Sequence, residues 1–140
     1  MNYTLEMILL PVADVDRAKQ FYAEKMGFHV DVDHRAGDNF RIVQLTPPGS
    51  ACSIAFGIGV AKTEGNVQGL HLVVPDIERA RAELTGRGVE TGEIVHFDET
   101  GQPTPGPHPE RADYGSYLLF SDPDGNGWAV QEVPSRGSAA

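Results

Sequence analysis

The chain has 140 residues and a mass of 15.1 kDa, which is the usual size of one domain. Its apolar fraction of 40% and charged fraction of 22%, with 16 Gly and 10 Pro, exclude a coiled coil and a wholly disordered chain. The single cysteine, Cys52, excludes an intrachain disulfide and a structural zinc site. It is interpreted as a small buried side chain, and it fits a reducing cytoplasm.

The chain is acidic, with 11 Lys and Arg against 20 Asp and Glu and a net charge of −9. This balance argues against nucleic-acid binding, which needs clustered cations. It suits a cationic small molecule or a basic partner, or simply a solvated acidic surface. Residues 1–16 hold no basic region and only a short apolar run, so we expect neither a signal peptide nor a membrane span. The expected location is the cytoplasm.

The first half of the chain predicts the order β-α-β-β-β. Residues 5–12 are a short apolar run that favours a buried strand. Asp14 or Asp16 can cap a following helix, which Gly27 ends. Apolar side chains recur along this helix at helical spacing: Val15, Ala18, Phe21, Tyr22 and Met26. Three further strands are predicted: residues 29–33, 40–46 and 51–57.

The second half predicts the same order. A strand over residues 70–74 precedes a helix from Ile77 to about Thr85. Further strands are expected over residues 89–97, 114–120 and 128–133. Between them, residues 98–113 form a long loop rich in Pro and Gly, and a loop of this length is usually functional or mobile. The last residues, PSRGSAA, are predicted to be a disordered tail.

The two halves also share a sequence pattern. VADVDRAKQ at residues 12–20 matches VPDIERARA at residues 74–82 as V-x-D-[VI]-[DE]-R-A-[KR]. Each copy follows an apolar stretch and precedes a glycine that ends the helix. The chain is therefore interpreted as a single domain of two tandem modules, the first over about residues 1–62 and the second over about 66–134, with a tail over 135–140.

These features resemble the vicinal oxygen chelate superfamily, which contains the glyoxalases, the bleomycin-resistance proteins and the extradiol dioxygenases. The resemblance rests on the tandem pattern, on Phe21-Tyr22 after V-x-D-[VI]-x-R-A, and on SDPDGNGWAVQEV at residues 121–133. It covers roughly residues 5–133. It implies an α+β fold in which two βαβββ modules form a curved mixed sheet. The two half barrels would enclose a cavity, with the helices on the convex side.

Strand alternation then separates the two faces of each strand. One face holds apolar side chains that we expect to pack under the helices: Ile8, Leu10, Val12, Leu70, Leu72, Val74, Trp128 and Val130. The other face is expected to line the ligand-binding cavity: Met7, Leu9, Ser53, His71, Val73, Ala129 and Gln131. Ser53 is placed there by alignment with the fourth strand of the family's first module.

Enzymes of this family usually hold a divalent metal on the cavity face with His, Glu or Gln. The resemblance places the four ligand positions at Met7, Ser53, Gly69 and Ala129. None of these is a competent ligand for nickel, zinc or iron, so we expect no metal and no other cofactor. His71, Gln131 and Glu132 lie close to ligand positions, but Glu132 shares a face with Trp128. His29, His34, His96 and His108 are interpreted as surface residues.

His71 is the best candidate for a polar group inside the cavity, and the alternative is a structural histidine bonded to Gln131 or to a backbone carbonyl. Trp128 could stack on a ligand, although its position in the strand favours the core. Loop 98–113 could lie over the cavity mouth, with His108, Arg111 and Tyr114 as contacts, or it could be a surface insertion.

The sequence therefore predicts a metal-free member of the family that sequesters a small, largely apolar organic molecule, either aromatic or cationic, as a homodimer. The alternative is an enzyme: a metal-dependent lyase, isomerase or dioxygenase, or a metal-free catalyst that uses His71. No catalytic residue besides His71 is proposed. A purely structural or regulatory interaction domain has little support in the residues. No nucleic-acid or membrane partner is expected.

Overall fold

The computed structural model describes residues 1–137, and its contacts divide the chain into two units. Unit 1 contains Met1–Val67 together with Asp122–Asn126, and unit 2 contains Gln68–Ser121 and the chain from Gly127 onward. The predicted α+β class with two mixed sheets is confirmed. Over the described residues, no helix is both long and apolar enough to cross a bilayer.

Unit 1 has the predicted order β-α-β-β-β. Its elements are β1 (Met7–Leu9), α1 (Val15–Gln20) with a π-helical continuation over Phe21–Lys25, β2 (His29–Arg35), β3 (Arg41–Thr46) and β4 (Ser53–Ile58). The sheet order is β1-β4-β3-β2. β1 pairs with β4 in parallel and the other pairs are antiparallel.

Helix α1 begins where the sequence predicts because the Asp14 carboxylate accepts the N–H of Arg17 at 3.1 Å. The five apolar side chains of the predicted helix are buried, as are Leu10 and Val12. Ile8 departs from the alternation prediction, since 37% of it stays exposed. It lies in a three-residue strand at the edge of the sheet, where only one neighbouring strand covers it.

Unit 2 repeats this layout with one additional strand. Its elements are β5 (Leu70–Val74), α2 (Ile77–Gly86), β6 (Val95–Phe97), β7 (Pro103–Pro105), β8 (Ser116–Ser121) and β9 (Gly127–Glu132). The sheet order is β5-β9-β8-β6-β7, with β5 and β9 parallel. Neither sheet closes into a barrel over the described residues.

Strand β7 lies inside the loop that the sequence predicts to be irregular. It forms a hairpin with β6 in which Val95 faces Pro105 and Phe97 faces Pro103. Hydrogen bonds from the Gly106 N–H to the Ile94 carbonyl and from the Asp98 N–H to the Gln102 carbonyl flank these pairs. Both prolines therefore occupy positions that make no ladder bond, on an edge strand that tolerates them. Prolines in a sequence disfavour a strand because they lack an N–H group. They are tolerated here because β7 is at the edge of the sheet.

The predicted disorder of the tail is wrong for its first residues. Pro134–Gly137 form a short 3-10 helix. The Ser135 N–H donates to Asp113 at 3.1 Å, and Arg136 donates to the Tyr114 hydroxyl at 3.0 Å. The remaining tail residues, 138–140, lie outside the described part of the chain.

Candidate ligand-binding site

One face of the unit 2 sheet carries a pocket of 370 Å³. Strand register builds this face from two rows of cross-strand neighbours. The first row is His71, Ala129 and Leu119 on β5, β9 and β8. The second row is Val73, Gln131, Tyr117 and Val95, which continues onto β6.

The pocket wall is largely aromatic and aliphatic. These side chains line it: Phe97, Tyr117, Leu119, Phe120, Trp128 and Ala129. Phe97 and Leu119 are 54% and 56% exposed, which is unusual for large apolar side chains. The Phe97 ring stacks on Tyr117 at a centroid distance of 5.2 Å. Trp128 and Phe120 are parallel at 6.0 Å and almost fully buried. Trp128 is thus a core residue that also reaches the pocket.

The polar groups of the wall are uncharged. They are Gln68, His71, Ser121 and Gln131, and the two remaining lining residues are Gly69 and Gly127. Among the described residues, the twelve that line this pocket include no Lys, Arg, Asp or Glu. A chain with net charge −9 therefore presents here a wall without formal charge when His71 is neutral.

The structure thus brings three of the predicted cavity residues, His71, Ala129 and Gln131, together in one pocket. Val73 shares their face but lies outside the pocket wall. The other predicted residues, Met7, Leu9 and Ser53, belong to unit 1. Alternation along the first and last strands of the second module predicts one part of this face and misses Phe97, Tyr117 and Leu119 on β6 and β8. The same rule would have found them there.

Unit 1 has a second pocket of 720 Å³, which Leu9 lines together with Pro11 and residues of the 59–67 segment. Met7 lies opposite Ser53 across the β1–β4 pair. The Ser53 hydroxyl is 2.7 Å from the Thr46 hydroxyl, which itself donates to Asp31. Ser53 is only 5% exposed and is engaged within the protein.

The four ligand positions implied by the family do not fit a hard divalent metal. Met7 and Ser53 supply a thioether and a hydroxyl, and Ala129 supplies a methyl group. Gly69 has no side chain, and its φ of +86° is a backbone conformation that other residues rarely adopt. Within residues 1–137, no three His, Cys, Asp or Glu side chains meet so that they could hold a metal ion.

The three loop residues predicted at the cavity mouth lie outside this pocket wall. His108 borders a separate pocket of 470 Å³ with His96, whose ring is 6.0 Å away. His96 is 8% exposed and its Nδ1–H donates to the Gly106 carbonyl, so its prediction as a surface residue is wrong. It lies on β6 between Thr104 of β7 and Ser116 of β8. Tyr114 is 52% exposed and has a φ of +64°.

Arg111 faces the beginning of helix α2. Its guanidinium donates to both carboxylate oxygens of Glu132, at 2.8 and 2.5 Å. It also donates to Glu78 at 2.7 Å. Glu132 is 1% exposed and accepts the Ile77 N–H at 2.9 Å, at the first residue of α2. Hydrogen bonds from Arg111 hold the pKa of Glu132 below its ordinary value. This carboxylate is therefore a structural group and not a free ligand.

The turn Asp122–Asn126 belongs to unit 1 through its contacts. Asp122 accepts the Tyr22 hydroxyl at 2.7 Å and the Asn126 side-chain amide at 2.8 Å. The same amide donates to the Pro11 carbonyl at 3.0 Å, and Asn126 Oδ1 accepts the Val67 N–H at 2.9 Å. The D-P-D-G-N motif thus ties the turn to Pro11 after β1, to Tyr22 in the π-helical continuation of α1, and to Val67.

The chain belongs to the glyoxalase/bleomycin resistance protein/dioxygenase superfamily, whose family model matches residues 4–130. It is 27% identical to the uncharacterized protein YetH of Bacillus subtilis over 121 residues, which cover 86% of this chain and 91% of YetH.

Two solved structures are also similar to this chain. TnmS3, an antibiotic binding protein from Streptomyces sp. CB03234, is similar with a TM-score of 0.68 and 26% identity, over 94% of this chain and 97% of that one. A superfamily member from Sphaerobacter thermophilus has a TM-score of 0.70 and 27% identity, over 94% and 98% of the two chains.

Proposed function

We propose that this protein binds a small, largely apolar organic molecule in the unit 2 pocket, without a metal ion and without chemical turnover. The observation that carries the proposal is the exposed aromatic and aliphatic wall formed by Phe97, Tyr117 and Leu119. Apolar pockets with a few polar groups are the usual form of small-molecule sites. The similarity to an antibiotic binding protein supports a role in sequestration.

Binding is favourable here because a ligand covers side chains that are otherwise in contact with water. Phe97 and Leu119 each leave more than half of their surface exposed. Burying apolar surface contributes about 25 cal/mol per Å². His71 and Gln131 can orient the molecule through hydrogen bonds. Because the wall holds no Lys, Arg, Asp or Glu, the bound molecule does not cover a charged side chain, which would cost free energy.

Trp128 fluorescence can report ligand binding, because Trp128 is the only tryptophan of the sequence and lines the pocket. We expect a member of a library of aromatic natural products and cationic antibiotics to raise the melting temperature and to change Trp128 fluorescence in a saturable manner. Stabilisation by none of them would contradict the proposal.

Phe97→Ala is expected to weaken binding about thirtyfold, since truncating a central aromatic contact typically costs about 2 kcal/mol. Val32→Ala is the control, because Val32 is an apolar side chain that is 39% exposed and lies on β2 of unit 1. Calorimetric titration of both variants, with a compound that stabilises the unaltered protein, measures the two affinities. Equal affinity in the two variants would place the ligand elsewhere.

We also propose that the protein is a homodimer. Unit 1 exposes a run of apolar side chains at and before β1, in which Tyr3 is 92%, Leu5 68% and Leu9 46% exposed. A contact with a second copy would remove this surface from water. Light scattering at micromolar concentration should give about 30 kDa, twice the 15.1 kDa of one chain. A 15 kDa species would contradict the dimer.

A further inference from the structure

We propose that the unit 2 pocket selects uncharged aromatic molecules that carry a hydrogen-bond donor such as a phenolic hydroxyl, and that His71 Nε2 accepts that donor. This inference rests on the proposed binding function, and it narrows the ligand class from aromatic or cationic molecules to neutral donors.

The tautomer of His71 follows from its own hydrogen bond. Its Nδ1 lies 2.7 Å from the carbonyl oxygen of Gly69, which can only accept. Nδ1 therefore carries the proton, and the neutral ring leaves Nε2 as an acceptor. Since Nδ1 is turned toward the backbone, Nε2 lies on the outer side of the ring. His71 is exposed and lines the pocket, so a ligand can reach this atom.

The other polar side chains of the wall do not impose a direction on the hydrogen bond. The carboxamides of Gln68 and Gln131 and the hydroxyls of Tyr117 and Ser121 can each donate or accept. Neutral His71 is the one lining side chain that offers only an acceptor to a ligand. A ligand that places an ether oxygen against Nε2 brings two acceptors together, whereas a hydroxyl completes the bond.

The pocket also discriminates by charge. Its twelve lining residues, all within the described chain, include no carboxylate and no Lys or Arg. A cation or an anion buried here would lose water without gaining a counter-charge. The wall contains two stacked ring pairs, Phe97 with Tyr117 and Phe120 with Trp128. Of these four rings, Phe97 is 54% exposed and offers a face on which a planar neutral ring can stack.

The test compares four naphthalene probes that share one ring system. They are 2-naphthol, 2-methoxynaphthalene, 2-naphthylmethylammonium and 2-naphthoate, titrated by calorimetry at pH 7.5 in about 0.15 M salt to screen the long-range field of the acidic chain. We expect 2-naphthol to bind about tenfold more tightly than its methyl ether, and both ions to bind at least tenfold more weakly than 2-naphthol.

His71→Phe keeps a planar ring and removes the acceptor. In this variant we expect the difference between 2-naphthol and the ether to disappear, while the ether keeps its affinity. His34→Phe is the control, since His34 lies on β2 of unit 1, and it should preserve the tenfold difference. The comparison of probes on the unaltered protein remains decisive if His71→Phe unfolds.

The outcomes separate this inference from the proposed function. Equal affinity for 2-naphthol and the ether, or an unchanged difference in His71→Phe, overturns the donor selection and leaves apolar binding intact. Binding of the ammonium probe more tightly than 2-naphthol overturns the inference that the pocket selects uncharged molecules. Binding of no probe, together with no stabilisation by the compound library, removes the proposed function and this inference with it.

Discussion

Replacing Glu132 with alanine is expected to lower the free energy of unfolding by about 3 kcal/mol. The Glu132 carboxylate is 1% exposed, receives two bonds from Arg111, and accepts the first N–H of helix α2. Removing one partner of a buried pair costs about 3–5 kcal/mol. The loss should lie at the lower end because the Arg111 side chain is 36% exposed and can turn to water. Urea denaturation measures the difference.

Glu78→Ala is the matched control, because Glu78 also pairs with Arg111 but its side chain is 60% exposed. An exposed pair of this kind contributes at most about 1 kcal/mol. A loss for Glu132→Ala that does not exceed the control would contradict the structural role of this carboxylate.

The contribution of Glu132 should also depend on pH. Its native-state pKa lies below the ordinary value of 4.5 because Arg111 donates to the charged form. The native protein therefore binds fewer protons than the unfolded chain in this range, and stability falls as the pH falls. The difference in stability between the unaltered protein and Glu132→Gln should be full at pH 7 and should narrow below about pH 4.5. A constant difference would contradict this linkage.

Asp122→Ala is expected to cost about 3–4 kcal/mol, the other large effect on stability. The Asp122 carboxylate accepts four hydrogen bonds, from the Tyr22 hydroxyl, the backbone N–H of Asn126, the side-chain amide of Asn126 and the Asp124 N–H. Tyr22 and Asn126 are 0% exposed, so their donors cannot turn to water. A buried donor without a partner costs about 1–3 kcal/mol, and part of the network can relax.

Tyr22→Phe provides the graded control for Asp122. It removes one donor and leaves the carboxylate with three, so the expected loss is about 1 kcal/mol. Thermal or urea unfolding of the two variants gives the comparison. Similar small losses in both would show that the turn does not depend on this carboxylate.

Much of the architecture could be predicted because it rests on local signals that recur. The repeated V-x-D-[VI]-[DE]-R-A-[KR] pattern predicts both helices. Of the two predicted caps of the first helix, Asp14 is the one found in the structure, and Asp76, which was not predicted, caps the second. Alternation along β5 and β9 placed His71, Ala129 and Gln131 on one face, and the register makes them neighbours.

The features that sequence missed depend on contacts between distant residues. Arg111 and Glu132 are 21 residues apart, and Arg111 has a φ of +50°. Glu132 is a charged residue on the apolar face of β9, so the sequence indicates that it needs a buried partner. No local pattern identifies Arg111 as that partner. Strand β7 was missed because its edge position, which makes its prolines acceptable, exists only after the sheet has formed.

We propose that the unit 2 pocket binds an apolar molecule without a metal ion. The most direct measurement is a calorimetric titration with 2-naphthol. The protein is first dialysed against EDTA and then into EDTA-free buffer, and the titration is repeated after addition of nickel, zinc, iron or manganese. We expect saturable binding with the same Kd in every case, and a Kd about thirtyfold higher in Phe97→Ala. Binding that occurs only after a metal is restored, at about one ion per chain, would contradict the account and favour a metal-dependent enzyme.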